Sequence, residues 1–558
     1  MSSSISVTTM HTTLLVTDVL EHICELADPV TLSVMAQTAR VLHEPAIYVL
    51  WRVLPDLLPL LQCFPTDCWA FEGDTFKFTR ILRPKDWTVF LKYASLVRHF
   101  VNGNFYEPPW ALRLRHADAA AWEAMCCLRP TATLFPQLRS FRWGEIELPI
   151  RCLSSFLICT GPHLFRVGLT FFEHPAGNVT DEMRSSFDIM AERFPMLREL
   201  DVGGCHGGGV HTRELRSFLP TSASRFTSLV SFTSRACPIT PAAMLNLLRM
   251  KTLRSVNVRL DDAPWPSRSP TSNVDGPIPS SLERLELFSS PQAYVAFSMA
   301  VTLPHAMTLV LWIEYRRPNH LIGDYFRSIR AQCSTDTLKD INIQEFLSLG
   351  NDAADEAIIL PAHLRPLLDL RRLERVFIDI PGRKALDDGF CSDMAKAWPH
   401  LKHFHIGGIG TLNGHDVSPT VRALPPFAVH CPKLETIGLD FDAKFWEDEA
   451  SFNADDSQAE LYGALAERAS TSLVSSIFVG DSPILAPEYI AAFLARIFPC
   501  LKQIQETSFF DRELQARWNT ATRLLPLFQR IRNDERLRLT QDLSTTGASG
   551  DSEVAVTR

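Results

Sequence analysis

The chain has 558 residues, 46% of them hydrophobic and 21% charged, with a formal net charge of −8. That length exceeds what one compact core sustains, so it predicts several domains or a repeat array. The acidic balance argues against duplex binding, which calls for a basic surplus, and no nucleic-acid partner is expected. Thirteen cysteines are scattered without a CxxC spacing, mostly within apolar runs. This pattern fits a reducing compartment rather than a disulfide framework.

Residues 1–12 are rich in Ser and Thr and lack an apolar period, so they read as a disordered N-terminus rather than a signal peptide. Residues 13–60 then read as a small all-α module with three helices. The first, around Asp18 to Ala27, carries Val19, Leu20, Ile23 and Leu26 on one side. The second opens with Asp28 as N-cap and Pro29 as first helical residue, and runs to about Arg40. The third is expected to begin near Glu44-Pro45 and carries Ile47, Leu50, Trp51 and Leu54. A module of this size is marginal alone, and its apolar residues exceed what three short helices hide among themselves. Some of them must face another surface.

Residues 61–135 read as a connecting helical and first-repeat region, with a faint phrase at Val97. From residue 136 to 510 one phrase recurs: a turn residue, often Pro, then Leu-x-x-apolar-x-apolar, as in FPQLRSFRW, FPMLRELDV, WPHLKHFHI and CPKLETIGL. Its anchors are Leu138, Leu164, Leu197, Leu229, Leu253, Leu282, Ala306, Leu338, Leu373, Leu401, Leu434, Val474 and Leu501. Their spacing runs from 24 residues (Leu229 to Leu253) to 40 (Leu434 to Val474), one supersecondary unit per repeat. The last two apolar positions are two apart, so an extended strand turns them to one face. Helical stripes lie between the phrases: Met183, Phe187, Met190 and Phe194 behind Thr180; a helix capped by Thr240 and opened by Pro241; and Ile490, Phe493, Leu494 and Ile497. Strand, loop and helix in repetition predict an α/β solenoid with a parallel sheet on its concave side. Residues 511–539 read as a C-terminal helical cap and 540–558 as a disordered tail.

No chemistry-bearing motif emerges. The cluster Gly203-Gly204-Cys205-His206-Gly207-Gly208-Gly209 lacks the Gly-Lys-Ser/Thr ending of a phosphate loop and reads as an inter-repeat loop. His403 and His405 fall on the exposed strand face, but no neighbouring cysteine or carboxylate in the sequence completes a metal set, so they read as partner contacts. The acidic run Glu447-Asp448-Glu449 reads as a solvated loop. No nucleophile, base and oxyanion hole assemble, so no enzyme activity and no cofactor are expected. The most apolar later window, Ala293 to Ile313, is interrupted by Pro304 and His305, which argues against a membrane span.

The repeat phrase resembles the leucine-rich-repeat family in an irregular version, since the asparagine that usually follows the strand is replaced by Gly203, Ser289 and Gly407, for example. The helical module resembles the F-box, the module that docks on the Skp-type adaptor of cullin–RING ubiquitin ligases. Leu15-Val16-Thr17-Asp18-Val19-Leu20 stands in place of its opening Leu-Pro-x-Glu-apolar-Leu, followed by Ile23 and by Asp28-Pro29-Val30-Thr31-Leu32. The ending Glu44-Pro45-Ala46 … Leu50-Trp51-Arg52 is similar to the fungal F-box-like group. Val16, Ala39 and Leu42 depart from the family's proline, cysteine and tryptophan.

The resemblance implies adaptor contacts at Leu15, Val16, Val19, Leu20, Ile23, Leu32 and Trp51. It also implies a substrate-recognition subunit of an SCF-type ligase, located in the cytoplasm or nucleus and linked through the adaptor to a cullin. The alternative is a leucine-rich-repeat scaffold unconnected to ubiquitination. On either reading, a protein partner would meet the concave strand positions, the second and fourth after each anchor. These include Ser140 and Arg142, Glu199 and Asp201, Ser255 and Asn257, Arg284 and Glu286, Asp340 and Asn342, Arg375 and Phe377, His403 and His405, Gln503 and Gln505. Their mixture of charge, amide and aromatic groups suits protein recognition.

Overall fold

The structure is a computed structural model that describes residues 16–101, 116–117, 119–144, 151–171, 180–204, 219, 222–265, 278–314, 322–346, 358–380, 383–407, 419–444, 472–506 and 512–547. It divides into two compact units, Met1–Arg259 and Leu260–Arg558. Leu15, residues 205–209 of the glycine cluster and the acidic run 447–449 lie outside the described residues.

The first unit opens with helices Thr17–Glu25, Pro29–Thr38 and Arg40–Arg52. Asp28 caps the second as its sequence predicts, accepting hydrogen bonds from the backbone N–H groups of Val30 (2.9 Å) and Thr31 (3.0 Å). The third helix begins at Arg40, four residues before the predicted start, and carries Pro45 inside it. Its first turn is closed by the N–H groups of Leu42 and His43 donating to the carbonyl of Ala39. Pro45 therefore removes one bond from a helix already nucleated, and its ring is buried. The helix runs directly into strand Val53–Leu54, which pairs in parallel with His99–Val101. Between them lies an antiparallel hairpin, Trp69–Glu72 with Thr75–Phe78, turning at Gly73 with φ +63°. This hairpin has no counterpart in the sequence reading.

Every anchor of the repeat phrase is buried to 1% exposure or less. Behind each of the thirteen a strand opens two residues later, from Ser140–Gly144 to Gln503–Glu506. The faint phrase at Val97 does the same with His99–Val101. The pairing is parallel and in step. In the first unit His99 faces Ser140, then Arg166, Glu199 and Ser231 in succession. In the second unit Arg284, Thr308, Asp340, Arg375, His403, Thr436, Ser476 and Gln503 pair in sequence.

The recurring proline has a local cause. The N–H of the anchor donates to the carbonyl three residues back, Leu401 to Trp398, Leu434 to Cys431 and Leu501 to Phe498. Pro399, Pro432 and Pro499 then occupy the second turn position, where their fixed φ suits the bend. Beside each turn, the residue after one anchor donates to its counterpart in the previous repeat: Lys339 to Met307 (2.9 Å), Glu374 to Lys339 (2.7 Å), Lys402 to Glu374 (2.7 Å). The chain thus keeps the same phase from strand to strand.

Helices return the chain between strands. Thr240 caps Pro241–Leu248, and Ser290 caps Pro291–Ala300, each side-chain oxygen accepting from the N–H three residues on, with Pro in the first helical position. Their apolar faces and the inward strand residues form the core, so the opposite strand face is left open. At the end of the second unit helix Arg512–Gly547 covers the last repeat. Trp518 donates to the Ser482 carbonyl (2.8 Å), Gln529 donates to the Leu501 carbonyl (2.7 Å), and the helix extends beyond the predicted cap. Each unit is therefore a leucine-rich-repeat-like α/β array. Among the described residues no helix is long and apolar enough to cross a membrane.

Candidate protein-interaction surfaces

Two surfaces stand out. The first belongs to the N-terminal helices. Cys24, Leu32 and Ala46 form the module's core, joined by Ala27, Met35, Ala36, Val49 and Leu50. With that core filled, Val16, Val19, Ile23, Leu26, Val30 and Val34 still stand exposed, Leu26 at 82% and Val30 at 74%. Exposed aliphatics concentrated in one short stretch of chain make residues 16–34 a candidate interaction surface.

The structure divides the sequence-derived adaptor set. Val16, Val19 and Ile23 are on the surface, whereas Leu20 and Leu32 are buried and support them from beneath. Trp51 stacks on Tyr93 with ring centroids 4.5 Å apart, tying the third helix to helix Trp87–Ala94. The Glu25–Arg52 ion pair (2.5 Å) joins the first and third helices at the rim.

The second surface is the open strand face. In the first unit Arg166 and Glu199 pair bidentately across neighbouring strands, at 2.5 and 2.9 Å. Arg142 lies over Gly168, where a Cβ would come within 3.3 Å of its Cγ. Asp201 is exposed nearby, facing Arg142 and Arg235. Asn257 corrects the sequence reading: it is buried, and its Oδ1 has no hydrogen-bond partner among the described residues.

In the second unit the first exposed position of each strand forms a polar row. Thr308 donates to Asp340 (3.4 Å), and His403 Nδ1 lies 3.0 Å from Thr436 Oγ1. Arg284 and Arg375 are exposed within that row. At its edge Glu374 bridges Lys339 (3.1 Å) and Lys402 (2.6 Å), and the two ammonium groups hold its carboxyl down at about 2. A shallow groove of about 290 Å³ runs along these residues, between Met307 and His403.

The second exposed row differs from its sequence reading at two places. Glu286 is buried, accepting from the Trp312 indole N–H (3.1 Å). His405 is half-buried rather than free, with its ring stacked on Phe377 at 4.5 Å and edge-on to Phe478 at 5.0 Å. Asn342 accepts from Gln344 (2.9 Å) in the same row.

A third row was missed. It holds Phe288, Trp312, Asp379 and Asp440, each the sixth residue after its anchor. Phe288 and Trp312 stack at 5.4 Å with planes 4° apart. One more step of the two-residue alternation would have found this row. Nothing in the sequence signals Lys384, which the chain brings from strand Arg383–Lys384 to face Asp379, Asp440 and Asp481. The carboxylates absent from the sequence neighbourhood of His405 are thus supplied by other repeats, although no three ligand-type side chains converge on a metal geometry among the described residues.

No protein-family model and no curated protein matches the sequence. Among solved structures, an internalin from Listeria monocytogenes is similar over 68% of this chain and 82% of its own, at 12% identity and TM-score 0.33. The complex of Rad7 and Elc1 from yeast is similar over 66% of this chain and 74% of the matched one, at 13% identity and TM-score 0.29.

Proposed function

We propose that this chain is a non-catalytic adaptor, the substrate-recognition subunit of an SCF-type cullin–RING ubiquitin ligase. The N-terminal helices dock the Skp-type adaptor, and the open strand face holds the target protein. The observation that carries the reading is the exposure of Val16, Val19, Ile23, Leu26 and Val30, on and beside the first two helices, although the module's own core is already filled. It supports docking because such exposure is otherwise a solubility liability. The F-box resemblance of residues 15–52 supplies the partner's identity. The ligase's chemistry would belong to other subunits, and this chain contributes proximity, holding the target where a reactive group can meet it.

The test is capture of a purified Skp-type adaptor by the full chain, wild type against Val19→Asp/Ile23→Asp. Both positions are surface-exposed, so the fold tolerates the change while the apolar face is spoiled. Wild type is expected to bind, and the double variant to lose at least tenfold in affinity with an unchanged unfolding transition. Failure of wild type to bind, or equal binding by the variant, would remove the ligase reading and leave a leucine-rich-repeat scaffold.

A further inference from the structure

The residues just before the strands form an edge along the sheet. In the first unit this edge runs Arg52, Arg98, Arg139, Phe165, Arg198, the backbone N–H of each donating to the carbonyl of the one before (2.9, 2.7, 2.9 and 2.8 Å). Neighbouring strands lie about 4.8 Å apart, so Arg98, Arg139 and Arg198 are set along about 14 Å of one edge. In the second unit the same position reads Met307, Lys339, Glu374, Lys402, Glu435 in the same backbone ladder. There the signs alternate, and Glu374 is held by Lys339 (3.1 Å) and Lys402 (2.6 Å). That edge neutralises itself. The edge of the first unit does not.

Like charges on neighbouring strands repel, so a row of arginines lowers stability unless something offsets it. Among the described residues, the carboxylates that pair with this part of the sheet are already engaged. Glu25 accepts from Arg52 (2.5 Å), and Glu199 takes both prongs of Arg166 (2.5 and 2.9 Å). Arg98 donates to the neutral Gln137 amide oxygen (2.6 Å). Arg139 and Arg198 are exposed and have no ion-pair partner among the described residues. The surplus is felt by His99, whose Nδ1 lies 2.9 Å from Ser140 Oγ. Burial, then Arg52, Arg139, Arg166 and Arg98, hold its imidazole below the ordinary histidine range. The chain on both sides of each arginine, residues 49–55, 95–101, 136–142 and 195–201, is described throughout.

We propose that this edge receives an acidic segment of the target protein, with Arg98, Arg139 and Arg198 taking its Asp or Glu side chains. The chain itself shows the fit, because Arg52 and Arg166 beside them already take carboxylates, Arg166 through both prongs of its fork. A nucleic acid fits less well: the chain carries a net charge of −8, and Phe165, the ring within this edge, is half-buried and offers little for base stacking. The inference rests on the part of the proposed function that makes the strand face and its edge the target-binding surface, and is independent of adaptor docking.

A single exposed ion pair contributes little, so the three arginines act as a set. The parallel ladder already fixes their backbones, and only side-chain freedom is left to lose on binding. Repulsion within the row gives a second expectation. Removing one of these charges should leave the free chain as stable as before, or more so, while weakening the complex. Folding and binding then respond differently to one substitution.

The experiment pans a random peptide display library on the full chain and titrates the selected peptides by fluorescence anisotropy. Enrichment of Asp and Glu is expected, with a loss of about tenfold or more when they are replaced by Asn and Gln, which keep the shape and remove the charge. Arg139→Gln and Arg198→Gln should each weaken binding about threefold, and together about tenfold, with the unfolding midpoint unchanged or raised. Lys402→Gln removes the same charge at the matching position of the second unit and should leave affinity within about twofold. The proposal is overturned if acidic residues are not enriched, if the amide peptides bind within twofold of the acidic ones, or if Lys402→Gln weakens binding as much as Arg139→Gln. It is overturned too if a labelled oligothymidylate binds more tightly than the peptides and loses that affinity in the arginine variants. Adaptor capture by the same variants provides the separation: an intact peptide site with no adaptor capture removes the ligase reading alone, and the reverse removes this one alone.

Discussion

The N-terminal helices and the repeat strands use their apolar residues in opposite ways. In the repeats each anchor is sealed, as Leu401 and Leu434 are at 0% exposure, and the open face is left to polar and aromatic groups. In helices Thr17–Glu25 and Pro29–Thr38 the aliphatics that the core does not need stay outside, Leu26 and Val30 foremost. The difference teaches that hydrophobic pattern alone does not separate structure from recognition. A leucine at a repeat anchor is scaffold, whereas a valine on a short helix with a filled core is available for a partner.

The strongest way to break this comparison is to cut both kinds of residue back to alanine. Leu401→Ala should cost about 2–5 kcal/mol, because it removes a fully buried side chain and leaves a cavity between repeats. Val30→Ala should change stability by no more than about 0.5 kcal/mol, as expected for an exposed site. Chemical denaturation of the full chain reads both, and comparable losses would show that the exposed set is itself structural.

A smaller effect tests the geometry of the open face. Gly480→Ala places a side chain at positive φ and against Asp440, and should cost about 1–3 kcal/mol. Gly73→Ala, also at positive φ but with no described residue within 4 Å of the new Cβ, should cost less. Equal losses would mean that the Asp440 contact contributes nothing.

Smaller again is the helix cap. Asp28→Ala removes the acceptor for the N–H groups of Val30 and Thr31 and should cost about 1 kcal/mol locally. Faster amide exchange in Pro29–Thr38, without change in the repeat strands, is the expected readout.

The subtlest effect is pH dependence, and the two ends of the open face should show opposite signs. Glu374 is held at about 2, below its ordinary 4.5, by Lys402 and Lys339. Its ionised form is favoured by folding, so its contribution is present above 4.5 and is lost as pH falls toward 2. Asp440 is raised by burial to about 7 from its ordinary 3.8. The folded chain then holds a proton that the unfolded chain has released, so stability falls as pH rises from about 4 to 7. Lys384, Asp379, Asp481 and His405 face the same group, and Asp440→Asn should flatten the slope in that window. Denaturation midpoints measured from pH 2 to 8 decide it, and an unchanged slope between pH 4 and 7 in the variant would remove Asp440 as its source.

The sequence by itself determined the repeat array. Thirteen anchors with paired apolar positions specify which side of each strand is buried, because the alternation of a strand leaves no freedom once one face is chosen. It also determined the Asp28 and Thr240 caps, since capping is a local contact between residues two or three apart. Only the tertiary structure decided what each outward residue meets. His405 has one sequence context but is enclosed because its neighbour in the next repeat is Gly438, 33 residues away. Asp440 and Lys384 come from separate sheets and interact through the fold rather than through spacing. Leu20 and Ile23 share one helix, yet Leu20 is buried and Ile23 exposed, because the packing of the other two helices determines which side is covered. A strand's own alternation fixes which side faces out; the lateral neighbours that turn that side into a site come from elsewhere in the chain.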